Sequence, residues 1–184
     1  MQGRTEYKNR KEKRPFSPSQ AMHVTLRSQI AKGPLSLCAP GIRSWLRSYI
    51  PQLARNLGIR LYHFSINGAH LHFVLQTKEK ANLSRFLRVL SGMIARRVLK
   101  AEKGRGKGVS FWESRPFSRI LHWGRDFKNV LKYVERNVLE AARKIPYARN
   151  CLADPKMDML ISKSLALNRL NRQSWCDLQM LLFQ

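Results

Sequence analysis

Two histidines in an apolar stretch, His70 and His72, are separated only by Leu71. In a β-strand, residues two positions apart project from the same face, so both imidazoles would point in one direction while Leu71 anchors the opposite face. Two neutral imidazoles at this spacing can chelate one divalent cation. Because the chain has five histidines, such a pair also arises by chance as two packed side chains, and the spacing alone leaves both interpretations open.

A second candidate group lies near the end of a predicted helix, where Tyr133 and Asn137 are four residues apart and therefore share a face. A tyrosine hydroxyl is protonated and weakly nucleophilic at neutral pH, but it can form covalent intermediates where a neighbouring cation stabilises its anion. Asn137 could give an amide oxygen to the same cation. The alternative is a structural tyrosine that packs its ring and hydrogen-bonds its hydroxyl.

The first elements that must position these groups are a strand and a helix. From Ala21 onward, apolar and polar residues alternate, which predicts a strand with one buried face. Apolar residues at helical spacing then predict a helix over residues 42–57, with Gly58 as its stop. We expect Pro51 to kink or split that helix.

The remaining elements follow from similar signals. Two β-rich runs around Asn67–Gly68 predict a hairpin that carries both histidines. A helix over residues 83–100, capped by Asn82, should bury one face and expose a basic one. An extended segment interrupted by Pro116 precedes a last helix over residues 125–142. This order predicts an α+β fold, an antiparallel sheet packed by helices in a single domain.

The composition is strongly basic. The chain has 184 residues, 35 Lys and Arg against 11 Asp and Glu, a net charge of +24, and 43% hydrophobic residues. It is long enough to bury a core, and such a charge is usually neutralised by a polyanion, so nucleic acid is the expected partner. No signal-peptide core and no apolar window of about 18 residues is visible, which predicts a cytoplasmic, nucleoid-associated protein without a membrane partner.

Three regions differ in composition. Residues 1–19 are predicted to be a flexible basic arm, residues 20–145 hold the folded domain, and residues 146–184 are predicted to be a helical tail. The three cysteines, Cys38, Cys151 and Cys176, are far apart and are expected to be reduced thiols that pack in the interior.

Three strings, MHVTLR, YHFSINGAHLHFVLQ and FWESRPFSRILHWGRDFKNVLKYVERNVLEA, resemble the REP-associated tyrosine transposases, a branch of the single-tyrosine HUH transposases. The resemblance covers about residues 20–145 and implies their ferredoxin-like or RRM-like fold. It also implies that His70 and His72 hold Mg²⁺ or Mn²⁺, that Asn137 is the third polar ligand, and that Tyr133 is the nucleophile. The implied reaction cleaves and rejoins single-stranded, hairpin-containing DNA through a 5′-phosphotyrosine link.

The sequence departs from that family at three places. The family often has Asn directly before the first histidine, where this chain has Ala69 and carries Asn67 two positions earlier. The residue after Asn137 is often proline, whereas Val138 stands here and should extend the helix. The tail after Pro146 has no counterpart that we can align.

Basic residues around the predicted elements are candidates for DNA phosphate contacts. The aromatic residues Trp112, Phe117 and Trp123 are candidates for base stacking, with burial in the core as the alternative. The basic candidates are Arg85, Arg88, Arg96, Arg97, Lys103, Arg105, Lys107, Arg115 and Arg119.

Two other functions compete with transposition. The first is a non-catalytic, domesticated nucleic-acid-binding protein that uses only the charge and would bind regardless of Tyr133. The second is a metal nuclease that cuts DNA without becoming attached to it. The co-occurrence of the histidine pair and the Tyr133–Asn137 spacing favours the transposase. The sequence leaves open whether the protein is a monomer or a homodimer and which DNA sequence it reads.

Overall fold

The computed structural model describes residues 14–101, 110–146 and 157–167. Most of the predicted basic arm, the loop with Lys103, Arg105 and Lys107, and most of the tail lie outside these ranges. The described elements are β1 (Ala21–Arg27), α1 (Pro40–Asn56), β2 (Arg60–Ile66), β3 (His70–Gln76), α2 (Lys80–Val98), β4 (Phe117–Leu121) and α3 (Arg125–Ala141). Residues 157–167 form a further helical segment.

The four strands form one antiparallel sheet in the order β2-β3-β1-β4. The two central strands are therefore β1 and β3, which pair along their length from Met22 opposite Leu75 to Arg27 opposite His70. This βαββαβ arrangement, followed by α3, is the ferredoxin-like and RRM-like α+β fold that the sequence predicts.

Each face of the sheet carries its own apolar cluster. One cluster joins sheet residues such as Val24 and Phe73 to residues of α1 and α2 such as Leu46 and Phe86. The other joins the opposite face of the sheet to α3, which packs mainly against β2 and β3. We call these two sides of the sheet the α1–α2 face and the α3 face.

Helix α1 is continuous through Pro51, where the sequence predicts a kink or a split. Pro51 does not split α1, which runs without interruption from Pro40 to Asn56. Gly58, the predicted stop, follows two residues later in a left-handed conformation. Ile59 N–H bonds to Ala54 O and Gly58 N–H bonds to Arg55 O, so glycine closes the last turn. The helix survives Pro51 because its buried residues hold it on the sheet.

The predicted Asn82 cap of α2 is wrong. This helix begins at Lys80, with Glu79 in extended conformation before it. Thr77 stabilises the entry to the helix, because its hydroxyl accepts a hydrogen bond from Glu79 N–H at 3.3 Å. Asn82 therefore lies in the first turn, where its preference for capping positions is not used.

A β-bulge in β2 turns two consecutive side chains toward α3. The pairing with β3 shifts between Leu61 and His63, and Tyr62 is the extra residue. Tyr62 packs against Phe127, and His63 Nε2 lies 2.6 Å from Glu135 Oε2.

The helical segment 157–167 packs against α3. Ile161 joins an apolar cluster with Leu139 and Ile145. The hydroxyl of Ser164 donates a hydrogen bond to the buried carboxylate of Glu135. The described part of the tail thus covers the C-terminal half of α3. None of the helices in the described ranges is long and apolar enough to cross a membrane.

Candidate active site

The two histidines of β3 lie on the α3 face, as the strand alternation predicts. Leu71 between them is fully buried on the α1–α2 face. The ring centroids of His70 and His72 are 5.0 Å apart, with the rings nearly perpendicular. Both imidazoles therefore project toward the helix that carries Tyr133.

A third histidine, His23, belongs to the same group and was not singled out from the sequence. It projects from β1, and its Nε2 lies 3.2 Å from Nδ1 of His72, with the two rings stacked. Thr25 Oγ1 contacts the same Nδ1 at 3.1 Å. The alternation of β1 already placed His23 and Thr25 opposite its apolar residues, but only the β1–β3 pairing brings them to His72.

On α3, Tyr133 and Asn137 face this histidine group. The Tyr133 ring meets the edge of the His72 ring at a centroid distance of 5.4 Å, while 48% of the residue remains exposed. Asn137 is buried, and its amide nitrogen donates to the carbonyl of Tyr133 one turn earlier. The predicted shared face is therefore confirmed, with the tyrosine at the solvent side and the amide at the buried side.

Asn67, in the turn between β2 and β3, connects the two parts of the site. Its side-chain nitrogen lies 2.8 Å from Oδ1 of Asn137 and 3.0 Å from Nε2 of His70. The turn contains Asn67, Gly68 and Ala69, and Asn67 N–H bonds back to His70 O. An asparagine therefore contacts His70 although Ala69 stands directly before it.

All three imidazoles are held in the neutral form. Burial lowers the pKa of His72 to about 3, with further contributions from His70 and His23. Burial also lowers the pKa of His23 to about 4, and the positive charge of Arg119 adds to this effect. The pKa of His70 is lowered too, by burial and by Arg27. A neutral ring carries the lone pair that metal coordination requires; that of His70 Nε2 faces the Asn67 amide nitrogen, and Nε2 of His72 has no partner in the described part of the chain.

The donor atoms fit a divalent cation. Nε2 of His72 and Oδ1 of Asn67 are buried and have no hydrogen-bond partner in the described part of the chain. Nδ1 of His72 contacts His23 and Thr25 on β1, so Nε2 is the ring nitrogen that is available to a ligand. No three His, Cys, Asp or Glu side chains of the described ranges form a ligand cluster, and the amide oxygens of Asn67 and Asn137 are the further polar donor atoms beside the two imidazoles. Amide oxygen suits Mn²⁺ or Mg²⁺, whereas imidazole also suits Zn²⁺ or Ni²⁺.

The predicted phosphate-binding residues fall in different places. Arg119 lies on β4 opposite His23, on the α3 face, where Asp126 pairs with its guanidinium at 2.9 Å. Arg115 is exposed just before β4. The four α2 arginines are also exposed, but they lie on the α1–α2 side of the sheet, away from Tyr133. These four are Arg85, Arg88, Arg96 and Arg97.

The predicted stacking residues divide between core and surface. Trp112 packs against the α1–α2 core, and its indole N–H donates to Ser91 O. Phe117 and Trp123 are about half exposed. Phe117 is paired with Thr25 across β4 and β1, which places its ring on the same face as His72.

Over residues 27–137, more than half of its length, the sequence matches the family described as "Transposase IS200 like". The chain belongs to this family. It is a transposase, and the family match confirms the predicted relationship to this group of transposases. No curated protein sequence matches the chain.

Two solved structures are similar to this transposase. One is a REP-associated tyrosine transposase bound to a REP hairpin, 14% identical, with a TM-score of 0.54 over 70% of this chain and 72% of that chain. Another is a protein of Deinococcus radiodurans R1 described as a transposase, 17% identical, with a TM-score of 0.43 over 69% of this chain and 97% of that chain. The first similarity confirms the predicted fold.

Proposed function

We propose that this transposase cleaves and rejoins single-stranded DNA through a covalent bond to Tyr133. The observation that carries the proposal is the contact between the half-exposed Tyr133 and His72. The tyrosine ring is open to a substrate, while the histidine beside it keeps a buried, unpartnered Nε2. A neighbouring metal ion is one of the means by which a side-chain nucleophile is activated.

His70 and His72, with the amide oxygen of Asn137 or Asn67, would hold Mg²⁺ or Mn²⁺. When bound, the cation would neutralise charge on the phosphate under attack. The nucleophile is Tyr133, which loses its hydroxyl proton to solvent, and its oxygen attacks the phosphorus. A new phosphorus–oxygen bond to Tyr133 forms, the bond to the 3′ oxygen breaks, and that oxygen takes up a proton.

The product is a 5′-phosphotyrosine link and a free 3′-hydroxyl. Because one phosphodiester replaces another, the bond energy is retained in the protein, and no nucleotide cofactor is needed. Attack by a 3′-hydroxyl on the link reverses the step and joins two strands. His23 and Thr25 orient His72, since both contact its Nδ1 and fix the direction in which the ring points.

The substrate we propose is DNA with an unpaired strand next to a hairpin. The REP hairpin bound by the structurally similar transposase supports this choice, as does the net charge of +24. On the α3 face, Phe117 could stack a base close to the site and Arg119 could approach a phosphate. The non-catalytic alternative does not require two neutral histidines, His23 and His72, packed against the ring of a tyrosine.

The proposal is tested with purified protein, Mn²⁺ and a panel of tailed hairpin oligonucleotides. A denaturing gel and intact mass should show a protein–DNA adduct with wild type, none with Tyr133→Phe, and little with His70→Ala. Tyr49→Phe is the matched control, because that tyrosine stacks on Trp45 on the α1–α2 side, and it should form the adduct normally. Cleavage that survives Tyr133→Phe would point to a metal nuclease. Binding without any adduct would support the non-catalytic alternative.

A further inference from the structure

Two exposed arginines lie beside the histidine group, one at each end of it. Arg27 ends β1 and stands opposite His70 where β1 pairs with β3. Arg119 of β4 stands opposite His23 where β4 pairs with β1. Both arginines belong to the alternating set of residues on the α3 face, because the residues between them on each strand join the α1–α2 core. The histidine group therefore has a guanidinium on either side.

A largely buried carboxylate holds Arg27. Nε of Arg27 lies 3.2 Å from Oε2 of Glu113, whose side chain is 9% exposed against 68% for that of the arginine. Glu113 is fixed in turn, since its backbone N–H bonds to Arg27 O and the amide of Gln29 donates to its Oε1. A contact through Nε leaves the two terminal nitrogens of a guanidinium for a bidentate contact with phosphate. Arg27 is thus positioned by the protein while its outer edge faces solvent.

Arg119 is held in a similar way. Its two terminal nitrogens lie 2.9 and 3.2 Å from the carboxylate oxygens of Asp126. Asp126 also accepts the backbone N–H of His122, which fixes it in the first turn of α3. A guanidinium has five N–H donors, so a carboxylate on one edge leaves the others for a ligand. Since 45% of the Arg119 side chain is exposed, a ligand can reach it from the solvent side.

Neither the fold nor a metal ion explains these two positive charges. Exposed ion pairs contribute little to stability. Both charges act on the histidine group: burial lowers the pKa of His70 and Arg27 lowers it further, while burial and then Arg119 lower the pKa of His23 to about 4. Positive charges at this distance also oppose the binding of a cation by the same histidines. An anionic substrate that lies between the two arginines removes this conflict.

The spacing of the arginines fits more than one phosphate. Arg27 and His23 are four residues apart in β1, about 13 Å along the strand, and Arg119 is level with His23. His72 stands level with the middle of this span, and the Tyr133 ring packs against it. A strand of DNA with one phosphate at the candidate cation site would therefore carry its neighbouring phosphates toward the two arginines.

We propose that Arg27 and Arg119 bind the two phosphates on either side of the phosphate that Tyr133 attacks. This inference rests on the proposed function for the identity of the central phosphate. Holding the strand on both sides of the reacting bond keeps the phosphorus in line with the tyrosine oxygen. Glu113 and Asp126 are positioning residues in this scheme, because they act through the arginines and pay part of the ordering cost before DNA arrives.

The test uses a hairpin oligonucleotide with an unpaired tail and a series of copies that each carry one methylphosphonate linkage in that tail. A methylphosphonate has no charge, so each copy deletes one phosphate contact. Fluorescence anisotropy in EDTA measures affinity without cleavage, and the unmodified oligonucleotide with Mn²⁺ separately locates the cleaved linkage. The variants are Arg27→Gln and Arg119→Gln. Lys128→Gln, at an exposed position on α3, is the charge-matched control.

The wild type should lose roughly tenfold in affinity at each of two linkages that flank the cleaved one, because a hydrogen bond to a charged group is lost. Arg27→Gln should bind the unmodified oligonucleotide roughly tenfold more weakly, with a salt slope lower by about 0.7, and should be insensitive at one of these linkages. Arg119→Gln should be insensitive at the other. Lys128→Gln should stay sensitive at both. Arg27→Lys should restore the salt slope but only part of the affinity, since an ammonium group lacks the planar fork.

The inference and the proposed function can fail separately. If no adduct forms with Mn²⁺, the proposed chemistry fails, while the affinities in EDTA still decide whether each arginine binds its own phosphate. Arginine variants that keep the wild-type sensitivity at every linkage would overturn the inference. Loss of sensitivity at the same linkage in both variants, or a cleaved linkage outside the two, would overturn it as well.

Discussion

The side-chain nitrogen of Asn67 lies 2.8 Å from Oδ1 of Asn137, which joins the β2–β3 turn to the helix that carries Tyr133. The same nitrogen contacts Nε2 of His70. One amide thus fixes the distance between the histidine strand and α3. Asn67 makes this contact from the turn, three positions before His70 in the sequence.

Removing the Asn67 amide should loosen the candidate cation site. We expect Asn67→Ala to weaken Mn²⁺ binding by roughly 10- to 100-fold, as loss of a residue that orients metal ligands usually does. Titration calorimetry measures the affinity directly. Asn129→Ala, an exposed position on α3, is the control and should bind Mn²⁺ like the wild type. Equal affinity in both variants would refute the bridging role.

His23 should orient the His72 ring without contacting the metal ion itself. In His23→Phe the ring stacking can persist while the contact with Nδ1 of His72 is lost. Mn²⁺ affinity should fall by roughly tenfold, and adding Thr25→Val should lower it further, since Thr25 is the other partner of that nitrogen. His122→Phe, at an exposed histidine, serves as the control. An unaltered affinity in the double variant would mean that β1 does not position the ring.

The lowered histidine pKa values predict acid lability in metal-free protein. His72 and His23 have pKa values of about 3 and about 4 in the folded state, against 6.5 for an ordinary histidine. Below pH 6.5 the unfolded chain therefore binds protons that the folded chain does not, so stability is complete above that pH and falls toward pH 4. The slope is at most about 1.4 kcal/mol per pH unit for each histidine.

Urea unfolding in EDTA between pH 7.5 and 4.5 measures this effect. The midpoint should fall with pH in the wild type, and the fall should be shallower in His72→Gln. A midpoint that stays constant across this range would show that the histidines are not held neutral by burial.

Phe117 should hold an unpaired base beside the site. Its ring is half exposed, and its cross-strand partner Thr25 contacts His72. Stacking of one base contributes about 1–3 kcal/mol, so Phe117→Ala should weaken single-strand binding by roughly 5- to 150-fold, whereas Phe117→Trp should retain it. Fluorescence anisotropy measures both. Leu160→Ala, at an apolar position equally exposed, should have no effect, and an equal loss there would argue against stacking.

The buried carboxylate of Glu135 should stabilise the placement of α3. It contacts His63 at 2.6 Å and accepts a hydrogen bond from Ser164. A buried polar group that loses its partner costs about 1–3 kcal/mol, so Glu135→Ala, which leaves His63 and Ser164 without this carboxylate, should lower the free energy of unfolding by at least that order. Asp158→Ala breaks the exposed pair with Lys132 and should cost under about 1 kcal/mol. Denaturant unfolding compares the two, and similar losses would contradict the account.

Much of the fold was predictable because its signals are local. The alternation in β1, the Asn67–Gly68 turn and the apolar stripe of α3 each depend on neighbouring residues, and the structure has all three. The errors were local as well: Pro51 was expected to kink or split α1, and it does not split it, while Asn82 was expected to cap α2, which begins at Lys80 instead.

The site itself was predictable only in part. His70, His72, Tyr133 and Asn137 came from spacing and resemblance, and the structure brings them together. His23 was missed because its contact with His72 depends on strand pairing across 49 positions. Similarly, helical periodicity shows that Arg85 is exposed, but it cannot show which face of the sheet α2 covers.

The central claim is that Tyr133 forms the covalent bond to DNA. The most direct test is peptide mapping by mass spectrometry after reaction with Mn²⁺ and a tailed hairpin oligonucleotide, followed by nuclease and protease digestion. The account predicts a nucleotide attached through its 5′-phosphate to the peptide that contains Tyr133, and to no other tyrosine. A nucleotide on another residue, or cleaved DNA with an unmodified Tyr133 peptide at every time point, would contradict it.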